Sequence, residues 1–241
     1  MNSVINKKID IIDLGVIDFK EAWEYQTSLF ERVLSIKAQN RSTSEANHSA
    51  TENYLLFCEH PHVYTLGKSG KESNLLLKQE ELSSVSASYY HINRGGDITY
   101  HGPGQLVGYP IIDLENFFTD IHQYMRFLEE AVIQTLQEFG LKSGRIAGLT
   151  GVWIDIDIRP RKICAFGVKT SRWVTMHGFA LNINADLTYF NHIVPCGIQD
   201  KAVTSMKAEL GREIEMKQVQ QVLQNKIVNL FEMNLKVGYD S

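Results

Sequence analysis

Cys196 stands in Ile193-Val194-Pro195-Cys196-Gly197-Ile198, between a proline and a glycine. Such a turn at the end of an apolar segment can present a thiol to a cleft, against the general alternative that a cysteine is an inert core residue. As a thiolate Cys196 would be a nucleophile. Cys58 and Cys164 alternate with apolar neighbours in strand-like runs and read as inert core residues. A free thiol with a pKa of about 8.5 is only a few per cent ionised at neutral pH, so Cys196 needs a cation or base beside it. Lys162, Lys169, His101, His177 and His192 are the candidates, and the linear sequence does not choose among them. Lys162, next to Arg161 in a hairpin turn, reads by position alone as an ordinary solvated cation rather than as an activator. No spacing of the three cysteines and eight histidines matches a zinc motif, so no metal is expected.

The densest signal is Arg94-Gly95-Gly96-Asp97-Ile98-Thr99-Tyr100-His101-Gly102-Pro103-Gly104-Gln105. Its glycines permit close approach of backbone to another group, and Arg, Tyr and His add donors and a titratable ring. A plain β-turn loop is the alternative reading. It is not a phosphate-binding P-loop: before Gly67-Lys68-Ser69 the first glycine of that motif is replaced by His62, and no helix pattern follows.

The elements that must carry these residues are legible from periodicity. Residues 9–14 read as a strand and 18–39 as a helix, with an apolar face through Phe19, Trp23, Phe30, Val33 and Leu34. Asp18 with Glu21 resembles a capping box. The polar stretch 40–53 lacks periodicity and is expected to be a flexible excursion. Strand-like segments follow at 54–58, 63–66, 89–93 and 108–114, a helix at 118–139 ended by Gly140, and strands at 152–158, 163–168, 174–176 and 179–184. A closing helix spans 216–231. Strands arriving in hairpin-like runs argue for an α/β (α+β) fold with a mixed, mainly antiparallel sheet flanked by helices.

Composition narrows the function classes. With 241 residues, 44% hydrophobic and 22% charged, the chain can bury a proper core and is neither disordered nor fibrous. No repeat or composition shift divides it, so residues 1–241 read as a single domain. A net charge of −4 makes nucleic acid a poor partner. Residues 1–15 do not read as a signal peptide, no apolar run reaches membrane length, and sparse cysteines without C-x-x-C spacing make a cytoplasmic location the expectation.

Taken in order, Glu59-His60-Pro61, Tyr64-Thr65-x-Gly67, the string 94–105, Gly108-Tyr109-Pro110, Lys162-Ile163, Phe166-Gly167, the string 177–184 and Pro195-Cys196-Gly197 resemble the lipoyl(octanoyl) transferase family. That family lies within the biotin/lipoate protein ligase superfamily, and the resemblance spans residues 59–197. Asp97 and residues 199–201 depart from its pattern. The resemblance implies the superfamily's catalytic-domain fold. It also implies transfer of an octanoyl group from octanoyl-acyl carrier protein to a lysine of lipoyl domains, in 2-oxoacid dehydrogenase complexes and the glycine cleavage H protein. Cys196 would hold the acyl group as a thioester, and Lys162 would lower its pKa and shuttle protons. The substrate site would comprise Arg94, Gly95, Gly96, Asp97, Ile98, Thr99, Tyr100 and His101, with Ala165, Phe166 and Gly167, and with Gly178, Phe179 and Ala180. No cofactor is implied, and a monomer is expected. An ATP-dependent ligase, which needs no thiolate, is the rival within the superfamily, and a non-catalytic acyl-binding module is the rival outside it.

Overall fold

The computed structural model describes residues 5–194 and 202–236. From the N-terminus, β1 (Lys8–Val16) leads through α1 (Phe19–Ser42) to β2 (Asn53–Glu59), β3 (Val63–Leu66), β4 (Ser88–His91), β5 (Ile98–His101) and β6 (Gln105–Ile111). After α2 (Ile121–Glu138) come β7 (Ser143–Ile146), β8 (Leu149–Ile154), β9 (Arg161–Ser171), β10 (Val174–Asn182) and the short β11 (Ala202–Val203). Helices α3 (Met206–Leu210) and α4 (Met216–Leu230) follow. The larger sheet runs β1-β2-β6-β10-β9-β8-β7, with the two-residue β12 (Asn234–Leu235) pairing parallel outside β1 and β11 beside β9, and the smaller is β4-β3-β5. Apart from the parallel pairs β1–β2 and β9–β11, the pairings from β2 to β7 are antiparallel. The mixed, mainly antiparallel sheet expected from the strand spacing is the one observed.

The central strands are buried on both faces, which is why β2 reads as a nearly unbroken apolar run. Leu55 and Phe57 face one cluster with Leu128 and Val132 of α2 and Leu223 and Ile227 of α4. Tyr54, Leu56 and Cys58 face a second cluster with Ala22, Leu29, Phe30 and Val33 of α1. Asp18 caps α1, its carboxylate accepting from Lys20 N at 2.8 Å. The cap is therefore made to the second helical amide. Lys37 of α1 is buried and pairs with Asp113, and with Glu115 at 2.9 Å.

Several boundaries differ from the periodicity. Helix α1 runs three residues past 39, and Asn40 exchanges two hydrogen bonds with the Ser49 backbone, 2.8 and 2.9 Å long. Exposed polar residues carry no apolar period, so the pattern could not follow the helix to its end. Strand β8 stops at Ile154 because Asp155 turns the chain at φ 51°. The segments expected at 174–176 and 179–184 are one strand: His177 stands at φ 60° yet stays in register opposite Val168. Strands β5 and β7 and helix α3 are additional. The first lies inside the glycine-rich string, and the other two are too short to show a period.

Candidate active site

The two sheets come together where the chain entering β5 meets β9 and β10, and there they enclose a cavity of about 260 Å³. A smaller pocket of about 50 Å³ adjoins it, with Arg94, Thr99, Ala165, Phe166 and Ala180 common to both. Close backbone contact holds the glycine-rich segment in place. Gly67 N donates to Asp97 O at 3.2 Å, Lys68 N to Arg94 O at 3.0 Å and Ser69 N to Gly96 O at 3.1 Å. A Cβ on Gly67 would lie 2.3 Å from Gly96 O, so only glycine permits this docking. The Gly-Lys-Ser triplet thus braces the glycine-rich loop. Arg94 is pinned beneath it, donating to Thr65 O at 2.6 Å and Thr65 Oγ1 at 3.0 Å. Burial lowers its guanidinium pKa to about 10, which still leaves it charged at neutral pH.

Lys162 stands at the start of β9, clamped on both sides. It pairs with Trp153 of β8 and Val203 of β11, and its carbonyl accepts from Thr204 N at 2.9 Å. Its side chain is half-buried and lines the larger cavity, with Nζ 4.7 Å from the centre of the Trp153 ring. The other candidate activators of a thiolate lie elsewhere. Lys169 sits over Phe30 at 4.9 Å, its pKa lowered by burial and by Lys68. His192 Nδ1 lies 2.8 Å from the Tyr64 hydroxyl. His101 and His177 line the smaller pocket. Burial pushes the Cys58 and Cys164 thiols up, in keeping with core residues.

A chain of amides determines the state of His101. Asn182 Nδ2 donates to Thr204 O at 2.9 Å, which leaves Asn182 Oδ1 to accept from Gln105 Nε2 at 2.8 Å. Gln105 Oε1 then accepts from His101 Nδ1–H at 2.7 Å. The chain thus places a proton on Nδ1, and burial, which drives the ring pKa down to about 3, leaves the imidazole neutral at neutral pH. His60 donates from Nδ1 to Ile17 O at 2.8 Å, and its Nε2 accepts from the Tyr109 hydroxyl at 2.7 Å. His177, also lowered to about 3 by burial, has Nε2 3.0 Å from Asn93 Oδ1. The strings 101–105, 177–184 and 202–204 thus form one hydrogen-bonded floor.

Of the sequence-derived site residues, Lys162, Arg94, Gly96, Asp97, Ile98 and Thr99 line the larger cavity, as do Ala165, Phe166 and Ala180. His101, Gly167, Gly178 and Phe179 line the smaller pocket. Tyr100 and Gly95 are placed otherwise. The Tyr100 side chain turns into an aromatic cluster, 2.7 Å from His62 Nδ1 and stacked on Tyr189, because alternate residues of β5 face opposite sides. Gly95 is a backbone brace, donating to Val168 O at 2.9 Å. Cys196 lies outside the described residues. Residues on either side of it, Ile193 and Ala202, both line the larger cavity. So do Trp153 and Thr150, which periodicity could not find, since their placement depends on strand register. Among the described residues no cluster of His, Cys, Asp or Glu is arranged to hold a metal ion, and no helix is long and apolar enough to cross a membrane.

Comparison with known proteins agrees with this architecture. The family profile described as the lipoyl protein ligase A/B catalytic domain matches residues 18–228. An octanoyltransferase of Cytophaga hutchinsonii is 57% identical over 238 residues, covering 98% of both chains. One of Christiangramia forsetii is 58% identical over 234 residues, covering 96% of this chain and 99% of that one. Among solved structures, the bipartite lipoate protein ligase of Thermoplasma acidophilum superposes with a TM-score of 0.68 at 16% identity, covering 96% of this chain and 86% of that one. At that identity the likeness concerns the fold. Nearly full-length identity to the octanoyltransferases goes further: the chain is an acyltransferase of the octanoyltransferase family, within the lipoyl protein ligase A/B catalytic domains.

Proposed function

We propose that this chain takes an octanoyl group from octanoyl-acyl carrier protein, holds it as a thioester on Cys196, and passes it to a lysine of lipoyl domains. The observation that carries the reading is Lys162 in a cavity whose wall includes Ile193. Cys196 follows Ile193 by three residues in the sequence. In the first half-reaction the Cys196 thiolate attacks the octanoyl carbonyl carbon. The tetrahedral oxyanion collapses, and the carrier's thiolate leaves with a proton from Lys162. In the second, the acceptor lysine amine attacks the enzyme thioester, loses a proton to Lys162 and expels the Cys196 thiolate. A thioester is already activated, so no ATP or cofactor is needed.

Electrostatics supports the pairing of these two residues. At about 4 Å a thiolate and an ammonium attract by about 4 kcal/mol at an effective dielectric of about 20, against about 1 kcal/mol in bulk water. A half-buried Lys162 provides the drier setting. The apolar walls at Ile98, Phe166, Ala180 and Ile193 suit a hydrocarbon chain, whose six methylenes contribute about 5 kcal/mol at about 0.8 each. The acceptors would be lipoyl domains of 2-oxoacid dehydrogenase complexes and the glycine cleavage H protein, and the compartment a reducing cytoplasm that keeps Cys196 a thiol.

Intact-protein mass spectrometry after mixing with octanoyl-acyl carrier protein, without ATP, tests the reading. An octanoyl adduct is expected on the wild type and on neither Cys196→Ala nor, at comparable rate, Lys162→Ala, and a lipoyl domain should discharge it. Acceptor modification only with ATP and free octanoate would identify a ligase instead.

A further inference from the structure

We propose that Trp153 is a positioning residue for Lys162: its indole face holds the ammonium charged and turned into the cavity. The inference rests on Lys162 being the partner of Cys196. Trp153 and Lys162 are directly opposed in the β8–β9 ladder, so their side chains project to the same side of the sheet. Nζ lies 4.7 Å from the ring centre, inside the reach of about 6 Å over which a cation is attracted to an aromatic face. The indole is 1% exposed, so its orientation is held by packing and little water competes for its face. Both residues line the same cavity.

The lysine stem is confined as well. A Cβ on Gly151 would lie 3.2 Å from Lys162 Cε and 3.3 Å from Trp153 Nε1, and this glycine stands at φ 135°, where other residues are strained. Gly151 therefore closes a slot around the lysine stem. The wall of that slot is anchored from α2: Gly151 N donates to Glu129 Oε1 at 3.1 Å, and Glu129 Oε2 accepts from Arg126 at 2.6 Å and Arg145 at 3.0 Å. Burial by itself favours a neutral amine, whereas the negative face of the ring favours the ammonium. The arrangement thus keeps a charged group in a water-poor cavity and fixes where its charge is felt.

The test is the pH dependence of Cys196 alkylation by iodoacetamide, followed by intact mass and peptide mapping. Burial pushes the other two thiols up, so they stay silent at moderate pH. Trp153→Phe keeps an aromatic face and should titrate like the wild type. Trp153→Leu removes it and should raise the apparent thiol pKa by at least half the rise seen in Lys162→Met. Trp153→Leu combined with Lys162→Met should give no more than Lys162→Met alone, because the indole acts through the lysine. Should Trp153→Leu fold poorly, biosynthetic fluorotryptophan keeps the ring shape while weakening its negative face, and should raise the thiol pKa in step with fluorination. A folded Trp153→Leu or a fluorinated protein with an unchanged thiol pKa, beside a shifted Lys162→Met, overturns the role of Trp153 and leaves the pairing of Lys162 with Cys196 standing. An unchanged Lys162→Met removes both.

Discussion

The buried histidines make a stability prediction at the scale of single residues. His101 and His177, lowered by burial to about 3, are neutral in the folded state where an unfolded histidine titrates near 6.5. Between those values the unfolded chain binds more protons, so stability is fully present above about pH 6.5 and falls as the pH drops toward 3. Each such group contributes a slope of about 1.4 kcal/mol per pH unit. Denaturant unfolding of His101→Gln should show a shallower acid limb than the wild type, and an identical limb would mean that His101 is protonated in the fold. His101 was legible as a site residue because it sits among glycines in a specific string. Its tautomer was not legible, because it depends on Gln105, Asn182 and the Thr204 carbonyl, which are contributed by three different segments.

At the scale of elements, β9 does most of the positioning, bringing Lys162, Ala165, Phe166 and Gly167 to the cavities in one run. Its neighbour β8 is held to α2 through buried Glu129, which takes two arginines and the Gly151 amide. Glu129→Ala leaves that buried amide without its acceptor and two partly exposed arginines without their carboxylate, and should destabilise the protein by about 1–3 kcal/mol in denaturant unfolding. Glu129→Gln, which keeps an acceptor, should cost less. A loss under 1 kcal/mol in the alanine variant, roughly the worth of an exposed pair, would show that the network is solvated. Periodicity located α2, α4 and the core of β9, whose apolar faces repeat regularly. It missed β5 and β7, where glycine content or shortness hides the alternation, and it divided β10 at His177, whose left-handed backbone interrupts the pattern without interrupting the pairing.

At the scale of the whole molecule, the larger sheet carries helices on both faces, and the smaller sheet is tied to it by the Gly95 N to Val168 O hydrogen bond, the Gly67 to Ser69 bonds fastening the Gly95 loop to the end of β3. Residues from both sheets build each cavity, so neither sheet could form the site alone. We propose on that ground that residues 1–241 form one cooperative domain, and we propose separately that the chain is a monomer. Scanning calorimetry should give a single transition and sedimentation a single species of one chain. Two resolved transitions would instead separate the β3–β5 sheet from the rest.

The chemistry-bearing residue types, the central strands, the long helices and the family were determined by the sequence, because strings such as 94–105 and 177–184 and the alternation of apolar residues are local properties of a chain. Which lysine faces the cavity, which glycine-rich string member turns away from it, and the indole under Lys162 were decided only by tertiary structure. Those facts depend on strand register, and register is set by how distant segments bury their apolar faces together, which no short stretch of sequence contains.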